Sequence, residues 1–160
     1  MRKTLTAAVA LVALAAAFAP VAAGGTHPSK QRVRIEVTGT DPFTFLLKPT
    51  SKGRIQRDTG PVGFCCWRDR TVVRAGAKLD VTNPLLTLVG TQGTLRIRNT
   101  IEWVDLPDGW SVWTGTWKVV GGTGAYAGLS GHGRDAGAWE PETTPDRHIR
   151  IRFFGFLGSK

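Results

Sequence analysis

Thr94-Leu-Arg-Ile-Arg-Asn-Thr-Ile-Glu-Trp-Val104 alternates almost without a break. Leu95, Ile97, Ile101 and Trp103 share one parity, and Thr94, Arg96, Arg98, Thr100 and Glu102 share the other. Successive side chains of a strand point to opposite faces, so this stretch predicts a strand with one buried and one wet face. Asn99 is the one polar residue with inward parity. A buried Asn is most often a hydrogen-bonded core residue.

The same two-residue period recurs on both sides. Val33, Ile35 and Val37 alternate with Arg32, Arg34 and Glu36; Trp113, Gly115, Trp117 and Val119 oppose Thr114, Thr116 and Lys118. Ile149, Ile151 and Phe153 alternate with His148, Arg150 and Arg152. Weaker strand patterns cover 43–48, 52–57, 70–74, 77–82, 85–90 and 125–137. Turn residues separate them at Asp41-Pro42, Asp58-Thr59-Gly60-Pro61, Asn83-Pro84, Asp108-Gly109 and Gly121-Gly122. The polar run 140–146 reads as the loop between the last two strands. No window after residue 24 carries a 3.6-residue period. About eight short strands with short connections predict a single antiparallel barrel or sandwich over 31–160.

Six of the 13 residues from Gly121 to Gly133 are Gly. Gly122 to Ala127 fits a loose G-x-G-x-x-A fingerprint, but Gly128, Gly131 and Gly133 forbid the helix that must receive a pyrophosphate. No Gly-Lys-Ser/Thr occurs, which excludes a P-loop. The structural reading is a tight turn at Gly121-Gly122. A bendable strand then carries Gly124, Gly128 and Gly131, with Tyr126 lying over the bend.

The run from Gly115 through Trp117, Gly121-Gly122-Thr-Gly124-Ala-Tyr126 and Gly128 to Gly131-His-Gly133 resembles a motif of the allene oxide cyclase barrel-like proteins and their dirigent relatives. The specific part of the likeness covers about 111–137. It implies an eight-stranded antiparallel barrel of calycin-like outline, often in small exported bacterial proteins. It also implies two chemistries, an isomerase-like cyclisation steered in an apolar cavity, or acidic pocket residues. No position here matches such an acid, since Glu36 and Glu102 have outward parity. The likeness therefore supports a fold and not a reaction.

The N-terminus has a separate reading. Arg2 and Lys3 precede the apolar run Leu5 to Phe18, and Val21-Ala22-Ala23 supplies small residues before Gly24. This layout predicts a signal helix over 1–23, a flexible leader over 24–30, and a secreted or envelope-associated protein. The apolar run is short for a membrane span, which needs about 20 residues. The chain has 160 residues, 20 Gly and net charge +9. Removing Arg2 and Lys3 from its 21 basic residues leaves 19 against 12 acidic, or +7. The only cysteines, Cys65 and Cys66, are adjacent, so a bridge between them closes almost no loop. Reduced thiols, a vicinal disulfide and intermolecular pairing all remain open.

Candidate sites follow from parity. Trp103, Trp113 and Trp117 point inward with Asn99, and Tyr126 joins them at the bend. These residues predict either a packed core or an aromatic-walled cavity for an apolar or aromatic small molecule. Trp110 and Trp139 are placed at a rim. Arg32/Arg34, Arg96/Arg98 and Arg150/Arg152 are pairs on the outward parity of three strands. Were those strands neighbours, they would form a patch for an acidic envelope polymer or lipid surface. Nucleic acid is disfavoured, because the aromatics mostly take the opposite parity. His27, His132 and His148 are scattered, so no metal is expected, and no motif requires a cofactor. No G-x-S-x-G elbow occurs. The leading expectation is a non-enzymatic binding barrel, followed by a polyanion-binding surface protein and a cyclase-like isomerase. Oligomeric state is left open.

Overall fold

A computed structural model describes residues 30–74 and 77–159. The predicted signal helix over 1–23 and nearly all of the leader lie outside the described residues. Ten strands follow in order: β1 (Gln31–Gly39), β2 (Phe43–Pro49), β3 (Asp58–Cys65), β4 (Asp69–Arg74), β5 (Ala77–Thr82), β6 (Leu85–Val89), β7 (Thr94–Asp105), β8 (Ser111–Gly122), β9 (Leu129–Trp139) and β10 (Ile149–Ser159). Eight of them close a barrel in the order β7-β6-β3-β2-β1-β10-β9-β8, sealed by pairing of β7 with β8. Every pairing is antiparallel. Closure leaves no sheet edge among these eight strands.

β4 and β5 pair with each other and extend past the barrel rim. β5 lies along the end of β7, while β6 lies along its start. The two form one line broken at Asn83-Pro84, and β3 and β4 form its partner, broken at Cys66-Trp67-Arg68. Arg98 pins both breaks, since its Nη1 donates to the carbonyls of Cys66 (3.3 Å) and Asn83 (3.1 Å). Pro cannot donate to a ladder, and Cys66 adopts φ 59°, so both breaks have a local cause.

Parity is obeyed inside the barrel. Ile35, Val37, Leu47, Leu86, Leu88, Leu95, Ile97, Phe153 and Leu157 are almost wholly buried in one continuous core. Trp113 and Trp117 belong to that core, and glycines make room for them. The Trp117 ring covers Gly133 and Gly155, and its Nε1 donates to the carbonyls of Arg134 and Phe154. A Cβ on Gly137 would sit 2.2 Å from Trp113 Cζ2. The glycine excess thus supplies flat backbone on which two indoles lie.

Several local expectations are corrected. Asp58 to Pro61 is not a turn but the start of β3, paired with Phe45 to Leu47 and Thr44 of β2. Residues 52–57 form no strand. Gly121 and Gly122 remain in β8, opposite Arg96 and Leu95 at a bulge. The turn comes later, in a 3-10 turn over Gly124–Tyr126 flanked by Gly124 (φ 58°) and Gly128 (φ 68°). Those left-handed angles favour glycine. Gly131 lies in β9 with its Cα against Leu157 and the Phe156 carbonyl.

Tyr126 stoppers one end of the barrel. It is 1% exposed, and its hydroxyl donates to Asp58 Oδ2 at 2.7 Å. Asp58 Oδ1 accepts from the Thr59 and Thr91 amides and the Thr91 hydroxyl. Burial raises the Asp58 pKa, but these hydrogen bonds outweigh it and hold the carboxyl below its usual value. Burial and the Asp58 charge push the Tyr126 phenol well above its ordinary range. Gln31 completes this end through hydrogen bonds to Ile55 and Ser51.

Candidate functional site: the aromatic end of the barrel

The opposite end is lined by aromatic rings. Trp103 stacks on Trp113, with centroids 4.8 Å apart and planes 2° from parallel. Trp139 meets Trp103 edge-on, and Arg147 lies 4.2 Å over the Trp139 ring. Across the rim, Phe43 packs edge-on to Phe64, which stacks with Trp67. Trp67 is 48% exposed.

A cleft of about 610 Å³ opens here, bounded by Trp67, Trp103 and the β4–β5 extension. Register explains most of its walls, with Arg70 and Val81 joining from the opposite parity. Thr71 lies opposite Asp80, which lies opposite Trp103; Asp69 lies opposite Thr82, which lies opposite Ile101. The five residues Asp69, Thr71, Asp80, Thr82 and Trp103 therefore share one face, which continues the inner barrel wall beyond the rim. Thr71 donates to Asp80 Oδ1 at 2.9 Å, while Thr82 Oγ1 is buried without a partner. Trp103 is fixed from behind: its Nε1 donates to Asp105 Oδ1, which also accepts from Ser111. Those two hydrogen bonds, Ser111 first, hold the Asp105 carboxyl below its usual value. The cleft offers two indoles, Trp67 and Trp103, with Val81 and five polar or charged side chains, Asp69, Arg70, Thr71, Asp80 and Thr82.

A second polar cluster is sealed inside. Asn99 Nδ2 donates to Asp135 Oδ2 at 3.2 Å, with the two residues 2% and 4% exposed. Burial pushes the Asp135 carboxyl up to about 6, although Asn99 and Trp113 act to lower it. Asp135 Oδ1 and Trp113 Nε1 make no hydrogen bond of normal geometry. Asp135 shares the inward parity of Gly133 and Gly137, a signal that sequence reading left unused. Trp67 had no such signal, because it sits in a break between strands.

The inward aromatic residues are thus divided. Trp103 borders the cleft and Trp113 lies directly behind it. Trp117 and Asn99 are deep in the core, and Tyr126 is at the far end. The basic pairs are divided as well. Arg32/Arg34 on β1 and Arg150/Arg152 on β10 occupy adjacent strands. Arg96/Arg98 on β7 stand apart, with β8 and β9 between them and β10. Glu36 takes ion pairs from Arg34 (3.2 Å), Lys48 (3.8 Å) and Arg152 (4.0 Å). Cys65 and Cys66 are exposed free thiols, and their mutual contact raises the Cys65 pKa. Among the described residues, no three His, Cys, Asp or Glu stand together as a metal site. No family model, curated protein or solved structure matches the chain.

Proposed function

We propose that this protein is an exported, non-enzymatic barrel that binds an apolar or aromatic small molecule at its Trp-lined end. The cleft between Trp67 and Trp103 carries this reading. Its volume suits a small molecule, and its two indoles and Val81 supply apolar contact beside polar groups that would orient a ligand. Trp113 and Trp117 are 4% and 2% exposed, packed within the core, so the ligand is assigned to the rim rather than the barrel axis. Trp103 backed by Trp113 forms a rigid stacking surface.

A neutral naphthylamine probe tests this, because it removes any contribution from net charge. Saturable one-to-one binding is expected. Trp67→Ala should weaken it about tenfold or more, as truncation of an aromatic anchor commonly does. Trp67 is half exposed, so the variant should keep the wild-type fold. Equal affinity in the variant would refute the site.

A second reading, a polyanion-binding outer wall, is favoured by the adjacency of the β1 and β10 arginine pairs. The isomerase-like reading finds support only in the enclosed Asn99–Asp135 pair.

A further inference from the structure

The outer wall carries a more specific feature, which deepens the polyanion reading and rests on it. Phe154 and Phe156 have outward parity on β10, and Phe154 is 51% exposed. Phe154 lies in register between Arg34 of β1 and Arg134 of β9. Phe156 lies in register between Arg32 of β1 and His132 of β9. Lys118 of β8 continues the second row beyond His132, and Lys48 of β2 continues the first beyond Arg34. Each ring is thus flanked on both neighbouring strands by a basic residue.

A groove of about 420 Å³ lies over this array, with backbone at Gly133 and Gly155 as part of its floor. Its lining contains no carboxylate. Across β1, β10, β9 and β8 the cations are Arg32, Arg34, Arg150, Arg152, Arg134 and Lys118. The only outward-facing carboxylate on these strands is Glu36, partly buried and already held by three cations. Asp135 faces inward and is buried.

We propose that this face binds single-stranded nucleic acid, with bases on Phe154 and Phe156 and phosphates on the flanking cations. Three points select that ligand. Residues two apart on a strand stand about 6.6–6.8 Å apart. That is about twice the ~3.4 Å spacing of stacked nucleotides, and so suits successive bases of an extended strand. Phe offers a π-face and no hydrogen bond, which suits base stacking better than a neutral sugar. The cations also extend over five adjacent strands, further than a single phosphate needs. The paired bases of a duplex cannot splay onto the rings, so single strands are preferred. A concave groove with Arg32 already 5.7 Å over the Phe156 ring is less suited to bilayer insertion than a protruding apolar crest.

The test is fluorescence anisotropy of a labelled thymidine 12-mer at low salt, against the full chain. The matching duplex, heparin and phosphatidylserine vesicles serve as comparison arms. The single strand should bind more tightly than the duplex. Phe154→Ser with Phe156→Ser should weaken it tenfold or more while keeping the salt dependence, since stacking is not ionic. Arg32→Ser with Arg134→Ser should weaken binding and flatten the salt slope by about 1.4. Phe154→Ser alone, at a half-exposed site, guards against a folding defect in the double variant. No binding of the 12-mer, or binding indifferent to the Phe changes, overturns the proposal. Heparin binding in that case would leave the general polyanion reading standing. Vesicle binding that requires both Phe residues, with none to the 12-mer, would assign the face to a lipid surface instead.

Discussion

Gly137→Ala should destabilise the barrel by about 3 kcal/mol, and should cost almost nothing once Trp113 is Ala. The three atoms nearest a Cβ at Gly137 all belong to the Trp113 indole, at 2.2, 2.3 and 2.7 Å. That ring cannot retreat, because it is 4% exposed and stacked on Trp103. Overpacking of a closed core typically costs about 1–3 kcal/mol, and contacts this short belong at the upper end. Trp113→Ala alone should cost about 3–5 kcal/mol, from lost burial and the cavity left behind. In that background the three atoms nearest the new methyl are gone. The two changes should then couple by about 3 kcal/mol in the favourable direction. Urea unfolding of the four proteins measures the cycle. Additive costs would mean that the indole does not lie on Gly137. Gly133 differs informatively: a Cβ there would also strike the Phe154 carbonyl and Gly155 Cα, so removing Trp117 should not rescue Gly133→Ala.

Stability should also fall as pH rises from 4 to 7, through one residue. The Asp135 carboxyl is raised from 3.8 to about 6, chiefly by burial. The folded protein therefore holds its proton to higher pH than the unfolded chain does. Its contribution is fully present below about pH 4 and is lost as pH rises through about 6. A shift of about 2 units corresponds to about 3 kcal/mol. Asp135→Asn should remove this dependence and leave the variant more stable than wild type by up to that amount at pH 7. Asp58 acts in the opposite sense, since its lowered pKa contributes stability that is lost as pH falls. It is common to both proteins and cancels in the comparison. Parallel pH profiles for wild type and Asp135→Asn would show that the buried carboxyl is not strained.

The barrel itself was legible because one buried face imposes a strict period of two. The stretches 32–38, 94–104, 111–120 and 148–154 all became strands, with Ile35, Ile97, Trp113, Trp117 and Ile151 inside. Local turn chemistry misled where pairing overrode it. Asp58, Gly60 and Pro61 look like turn residues, but Gly60 packs its Cα against the Val89 carbonyl and Asp58 anchors the Tyr126 stopper. The cleft was only half legible. Trp103 carried inward parity, whereas Trp67, Asp69 and Asp80 depend on how two broken strands extend past the rim. The strand patterns at 70–74 and 77–82 were legible, but their placement past the rim depends on pairing with the end of β7. The outer array was hidden for another reason: Phe154 alternates correctly, but its basic neighbours come from β1 and β9, which only the register brings beside it.

The indole N–H signals of the six tryptophans offer the most direct test of where a ligand sits. Titration with the neutral naphthylamine, followed by two-dimensional NMR, should move the Trp67 and Trp103 signals progressively to saturation. Trp113, stacked behind Trp103, should respond less, and Trp117, hydrogen-bonded to Arg134 and Phe154 deep in the core, should not move. A large shift of Trp117 with Trp67 unchanged would place the ligand inside the barrel and contradict the assignment to its aromatic end.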